Sequence, residues 1–244
     1  MHTSVALVLI ATLIAQSDEP PPFLKERGPL LTYYYKSPNP ELGPQLLKEL
    51  IAKKNIENPW FAGREHVLHL LSAQLGDIAA GRPVIVRKYE AALANASPPG
   101  RLVILDALEN CADRTTLKQI DLWLTDRHYE NVRPELQELK QKLRDPNRRH
   151  IRDRPAQTAD DLDLLWANFF ITGEYAAASR ILDVIELPQT KANAALKGAA
   201  VWSMRSNLHQ HPKLVELVQR HAKERSAESQ RQIDQLIKSS SRAE

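Results

Sequence analysis

The chain has 244 residues, 43% hydrophobic and 26% charged, with 16 prolines, eight glycines and one cysteine. That length and apolar content exclude wholesale disorder and provide for one sizeable core or two closely packed ones. A formal net charge of +3 excludes the concentrated basicity of a dedicated nucleic-acid binder, and a lone cysteine excludes an internal disulfide.

Residues 1–17 read as a signal peptide. Val5–Ala15 is an apolar run of eleven residues, too short for the ~20 needed to span a bilayer. Ala15-Gln16-Ser17 supplies a small-x-small cleavage pattern, although no Lys or Arg precedes the run. No other stretch is long and apolar enough to cross a membrane. The mature chain is therefore expected to be exported, periplasmic or secreted, with no transmembrane span. Residues 18–39, rich in proline and holding Tyr33-Tyr34-Tyr35, read as an extended arm over the body.

Residues 40–147 carry helical periodicity throughout and form the expected N-terminal helical subdomain. Asn39-Pro40 makes a cap and first-turn pair, and Leu46, Leu47, Leu50 and Ile51 form a stripe. A helix from about Pro59 stops at Gly81, and the next opens at Pro83 and ends before Ser97. Cys111 lies among Leu105, Leu108 and other apolar residues at helical spacing, with no histidine nearby to activate it, and reads as a buried small hydrophobe. Val132, Leu136, Leu139 and Leu143 give the cleanest stripe, with Pro134 in the tolerant first turn.

Residues 148–157 read as a basic linker, 158–239 as a C-terminal helical subdomain and 240–244 as a tail. Asp160–Pro188 spells one helical hairpin, with Gly173 and Tyr175 in its turn. Helices over Lys191–Leu208 and Pro212–Lys223 and around Ile233 follow. No alternating pattern asks for a sheet. The expectation is an all-α fold, an irregular α-solenoid of stacked antiparallel hairpins with ten or eleven helices, about six before the linker and five after it. Leu165, Trp166, Phe169, Tyr175, Leu182 and Trp202 are its expected core.

The Asp160–Pro188 hairpin resembles a tetratricopeptide unit, with Leu165 and Phe169 as large residues of the first helix and Ala178 as the small residue of the second. Trp166 departs from that pattern, and Gly81 and Gly173 are not separated by a multiple of its ~34-residue period. DLDLLWANFFITGEY (Asp161–Tyr175) and AAVWSMRSNLHQHP (Ala199–Pro212), with the aromatic-proline segment Thr32–Pro40, are similar to an uncharacterised family of bacterial all-helical proteins. The resemblance covers most of the chain from Thr32 and implies a fold and a bacterial origin, without catalytic residues.

Candidate chemistry is sparse. His66 and His69 share one helical face and are candidate metal ligands, but the order E-H-x-x-H is not the zincin H-E-x-x-H, and a third ligand is not evident. His209 and His211 precede Pro212 at a helix boundary and read as capping residues. Ser203 and Ser206 lack a nucleophile-elbow context. The strongest signal is charge: Lys140, Lys142, Arg144, Arg148, Arg149, Arg152 and Arg154 stand against Asp145 and Asp153. That concentration is suited to an acidic protein surface or anionic lipid headgroups; nucleic acid is the least favoured partner because no aromatic residue interleaves. No cofactor and no catalytic residue is assigned. The composite expectation is a non-enzymatic exported protein that mediates protein–protein interaction or envelope scaffolding. The alternative is a hydrolase with a site assembled from dispersed residues, metal-dependent through His66 and His69.

Overall fold

The computed structural model describes residues 19–111 and 114–240; the expected signal peptide and most of the expected tail lie outside them. The fold is all-α: thirteen α-helices and no strand occur among the described residues. No helix among them is long and apolar enough to cross a membrane. The chain divides into two compact units, the first ending at His150 and the second beginning at Ile151, within the stretch expected as a linker.

The first unit holds α1 (Pro22–Thr32), α2 (Leu42–Leu50), α3 (Lys53–Ile56), α4 (Glu65–Ala79), α5 (Pro83–Leu93), α6 (Pro98–Cys111), α7 (Arg114–Thr125) and α8 (Arg133–Arg144). It has eight helices where about six were expected. The additions are the single turn α3 and α1, which replaces the expected extended arm. Pro22 occupies a first-turn position, where its missing N–H costs nothing. Phe23, Leu24 and Leu31 bury their side chains, and that packing overrides the helix-breaking tendency of Pro29. Tyr34 is buried in the short 3-10 turn Tyr34–Lys36, while Tyr33 and Tyr35 are half-buried.

The closest helix pair in this unit is α4 with α6. A Cβ added at Gly76 would lie 2.5 Å from the Asn110 Cβ and 2.7 Å from the Ala107 carbonyl oxygen, so hydrogen at that position sets the helix spacing. Tyr89 of α5 is fully buried and its hydroxyl donates to the Leu75 carbonyl at 3.1 Å, joining α5 to α4. Cys111 is buried, with Sγ 3.4 Å from the Leu108 carbonyl. Val132, Leu136 and Leu139 are buried along the stripe read from the sequence.

The second unit holds α9 (Ala159–Thr172), α10 (Tyr175–Ile185), α11 (Ala194–Leu208), α12 (Pro212–Lys223) and α13 (Ala227–Ser240). A 3-10 turn, Ile151–Asp153, packs against α9 and α10. Ile151 and Ala156 are buried, so part of the expected linker is core. Thr158 and Asp161 form a capping box at the start of α9. Gly173, at φ 61°, ends the helix with its N–H on the Phe169 carbonyl at 2.7 Å. Trp166 stacks on Phe170 with centroids 5.9 Å apart, and Phe170 stacks on the fully buried His211 at 5.1 Å.

Two of the expected core residues differ. Tyr175 is half-buried, and Trp202 is 50% exposed. The buried line of α11 runs through Ala200, Ser203, Met204, Asn207 and Leu208. At 100° per residue Trp202 falls away from that line and aligns instead with exposed Ala195, Gly198, Arg205 and His209.

Gly76→Ala is expected to destabilise the protein by about 1–3 kcal/mol, because the new methyl meets backbone rather than a movable side chain; denaturant unfolding with no change would contradict the close approach. Phe169→Ala should cost about 3–5 kcal/mol, and a near-zero loss in the same measurement would remove Phe169 from the core.

Candidate functional site

The densest polar cluster lies in the second unit, where α10, α12 and the turn before α13 meet. Asp183 and Glu186 are three residues apart at the end of α10 and share one helical face. His221, in the last turn of α12, is fully buried. Arg225 follows in the turn. A carboxylate oxygen from each acid and a His221 ring nitrogen lie within 4.8 Å of one another.

The hydrogen bonds assign the tautomer of His221. Arg225 Nε–H donates to His221 Nε2 at 3.1 Å, so Nε2 is an acceptor and the ring is neutral, with its proton on Nδ1. Nδ1–H donates to the Tyr175 hydroxyl at 2.8 Å. Glu186 Oε1 stands 3.3 Å from Nε2. Arg225 also donates to Asp183 Oδ1 at 2.6 Å and pairs with Glu186 Oε2 at 3.5 Å. Around this centre, Arg180 pairs with Asp183 at 3.2 Å and the Arg220 guanidinium sits 4.9 Å from the Tyr175 ring centroid. Burial first, then Arg225, hold the His221 ring below the usual imidazole range, against the opposing pull of Glu186 and Asp183.

Two carboxylates and a neutral imidazole are suitable donors for a divalent ion, and the set is the one three-ligand group of that kind among the described residues. The Arg225 guanidinium already supplies the cation: it engages both acids and occupies the Nε2 lone pair that a metal would need. With Arg180 also on Asp183, two guanidiniums match the two carboxylates, and the cluster is charge-balanced from within.

The residues singled out from the sequence lie elsewhere. His66 and His69 sit on α4, and His69 Nδ1 is 2.6 Å from Asp106 Oδ2 on α6. No three-ligand group includes either histidine among the described residues. His211 is buried against aromatic rings and His209 is exposed at the end of α11.

The basic segment is spent largely on its own unit. Lys140 pairs with Asp121 at 2.5 Å, Lys142 with Glu138 at 3.0 Å and Glu109 at 3.9 Å, and Arg144 with Asp121 at 4.0 Å. Arg148 donates to the Glu109 carbonyl. Arg149 and Arg154 are likewise engaged, and Arg152 contributes backbone to the Ile151–Asp153 turn. His150 lies 3.6 Å from the buried Asp77 carboxylate. An open cleft of about 760 Å³ beside α1, α2 and α3 is rimmed by Glu26, Lys48, Glu49 and Lys54; Glu49 is held by Arg27 at 2.7 Å.

Sequence reasoning missed the whole cluster. Its one local signal is the D-x-x-E spacing of Asp183 and Glu186, which also fits any solvated helix face. The fold and the cluster together define an all-α protein whose main polar centre is balanced by its own arginines, Arg225 and Arg180. Comparison with family models, curated proteins and solved structures gives no match.

Away from the cluster, Glu90 and Asp163 have their carboxyls pushed well up. Glu90 on α5, buried, is pushed up to about 7 by desolvation against the opposing Arg87, and Asp163 on α9 to about 7 by desolvation and Asp160. Each is easier to protonate folded than unfolded. Their stabilising contribution is therefore present at acid pH and is lost as pH rises through about 7. Glu90→Gln is expected to raise Tm at pH 8 and to change it little at pH 5; equal effects at both values would mean that the carboxyl titrates normally.

Proposed function

We propose that this is a non-enzymatic, exported helical protein that binds another protein through one face of α11. The observation that carries the reading is Trp202. It is 50% exposed, whereas Trp60, Trp123 and Trp166 are exposed by 3%, 4% and 0%. Tryptophan is strongly enriched among residues that dominate binding energy at interfaces. Its neighbours on the same face, Ala195 and Gly198, are small, leaving the helix backbone open to close approach. A Cβ at Gly198 would meet nothing within 4 Å, so packing inside the chain gives no reason for a glycine there.

Lys142, Arg144, Arg149 and Arg154 are exposed members of the basic segment, and their positive potential suits an acidic partner or anionic headgroups. The hydrolase alternative lacks a third ligand beside His66 and His69 among the described residues. Export is supported by the apolar run Val5–Ala15 and the small-x-small pattern after it, and a bacterial setting by the resemblance of Asp161–Tyr175 and Ala199–Pro212.

A photoreactive phenylalanine analogue at position 202 is expected to give a discrete cross-linked adduct in cells, absent when the analogue is placed at exposed Glu174. Indistinguishable patterns from the two positions would remove α11 as the binding face. Gly198→Ala should stabilise the isolated protein by about 1 kcal/mol, since an interior helical glycine with free space costs about that much. A loss of stability would instead give Gly198 a packing role within the chain. Fusion of residues 1–30 to a phosphatase active only outside the cytoplasm should yield activity, and an inactive fusion would refute export.

A further inference from the structure

The cluster around His221 is built so that one proton changes the partner of an arginine. In the neutral ring, Nδ1–H is committed to the Tyr175 hydroxyl at 2.8 Å and Nε2 receives Arg225 Nε–H at 3.1 Å. A second proton has one place to go, Nε2. Once there, that nitrogen is a donor, and Arg225 Nε–H loses the ring as its acceptor, faces an imidazolium and is left with Glu186 Oε2 at 3.5 Å. The new N–H has a carboxylate waiting: Glu186 Oε1, 3.3 Å away. Arg225 meanwhile keeps its 2.6 Å bond to Asp183. Both arrangements thus have partners for every charge, which makes this an exchange rather than a collapse.

We infer that His221, Glu186 and Arg225 form an acid-sensitive clasp on the turn between α12 and α13, in which a proton on Nε2 transfers His221 from Arg225 to Glu186 Oε1 and leaves Arg225 held by Asp183 and Glu186 Oε2, without its bond to the ring. The turn is the element that moves. Its backbone is held by Glu224 N–H on the His221 carbonyl and Arg225 N–H on the Ala222 carbonyl, each at 3.1 Å. Gln230 also donates to the Arg225 carbonyl at 3.0 Å. α13 itself stays docked, because Ile233 and Leu236 are buried independently of the clasp.

The charged groups bearing on the ring are, in order, Arg225, Glu186 and Asp183. Arg180 reaches it only through Asp183, and Arg220, paired with Glu224, only through the Tyr175 ring. The sign follows from the lowered affinity of the folded ring for protons. The unfolded chain binds this proton more readily, so the clasp is fully closed above the ordinary imidazole value of 6.5 and loses its contribution as pH falls below it. Glu90 and Asp163 contribute with the opposite sign over neighbouring pH values, so global stability is a poor readout and site-resolved measurement is needed.

The test is long-range ¹H–¹⁵N NMR of the imidazole rings in the full chain, with the Arg225 Nε–H signal followed in the same titration. At pH 7.5 the His221 ring should show the Nδ1–H tautomer. On acidification His221 should titrate below the ordinary imidazole value of 6.5, and the Arg225 Nε–H should shift and exchange faster with the same midpoint. Arg225→Gln should move the His221 midpoint up, and Glu186→Gln should move it further down. If Arg225→Gln does not fold, Glu186→Gln carries the same test with opposite sign. An Nε2–H tautomer at pH 7.5, an Arg225 signal indifferent to the His221 transition, or a midpoint unchanged in the folded variant would overturn the clasp.

Discussion

A helix that buries Leu162 and every residue from Leu164 to Ile171 has no face left for water, and this constraint organises the second unit. Helices apolar on all sides must be surrounded by protein. The ends of α9 leave backbone groups without partners inside the helix, and these need capping. The Thr158–Asp161 capping box answers that need at one end and left-handed Gly173 at the other. Trp166, Phe169 and Phe170 then fix the side on which His211 must lie, and with it the start of α12.

Position on α12 in turn decides the chemistry of the polar cluster. Carrying His221 to full burial beside α10 removes it from solvent, and a buried imidazolium between helices would be costly without a partner. The chain keeps the ring neutral and lets Arg225 hold the two acids. The same arrangement gives the turn after α12 a side-chain anchor on α10, where an exposed loop would have only its own backbone bonds.

Much of this fold was legible because it is local. The α9–α10 hairpin is specified by residues within one stretch: a cap, an apolar run, a glycine at the turn and a second apolar face. The periodicity of Val132, Leu136 and Leu139 needs no knowledge of what they pack against. α1 was not legible, since Pro22 and Pro29 mask a helix whose stability comes from burying Phe23, Leu24 and Leu31. Trp202 misled for the complementary reason: size and hydrophobicity argue for the core, but its angle on α11 relative to Ala200, Met204 and Leu208 sets its exposure. The cluster was invisible because its bonds join residues 35 and 46 positions apart, between elements that only tertiary packing brings together. The basic run showed the converse failure: its charge was plain, yet the acids that absorb it lie on α6, α7 and α8 itself.

Trp202 also gives the protein an optical property. With Trp60, Trp123 and Trp166 buried from water, the indole on α11 should dominate the red edge of the fluorescence emission and be the ring most open to a small quencher such as iodide. Covering that face would shift the emission to the blue and shield it from the quencher, so occupancy of α11 could be followed by the chain's own light, without a label.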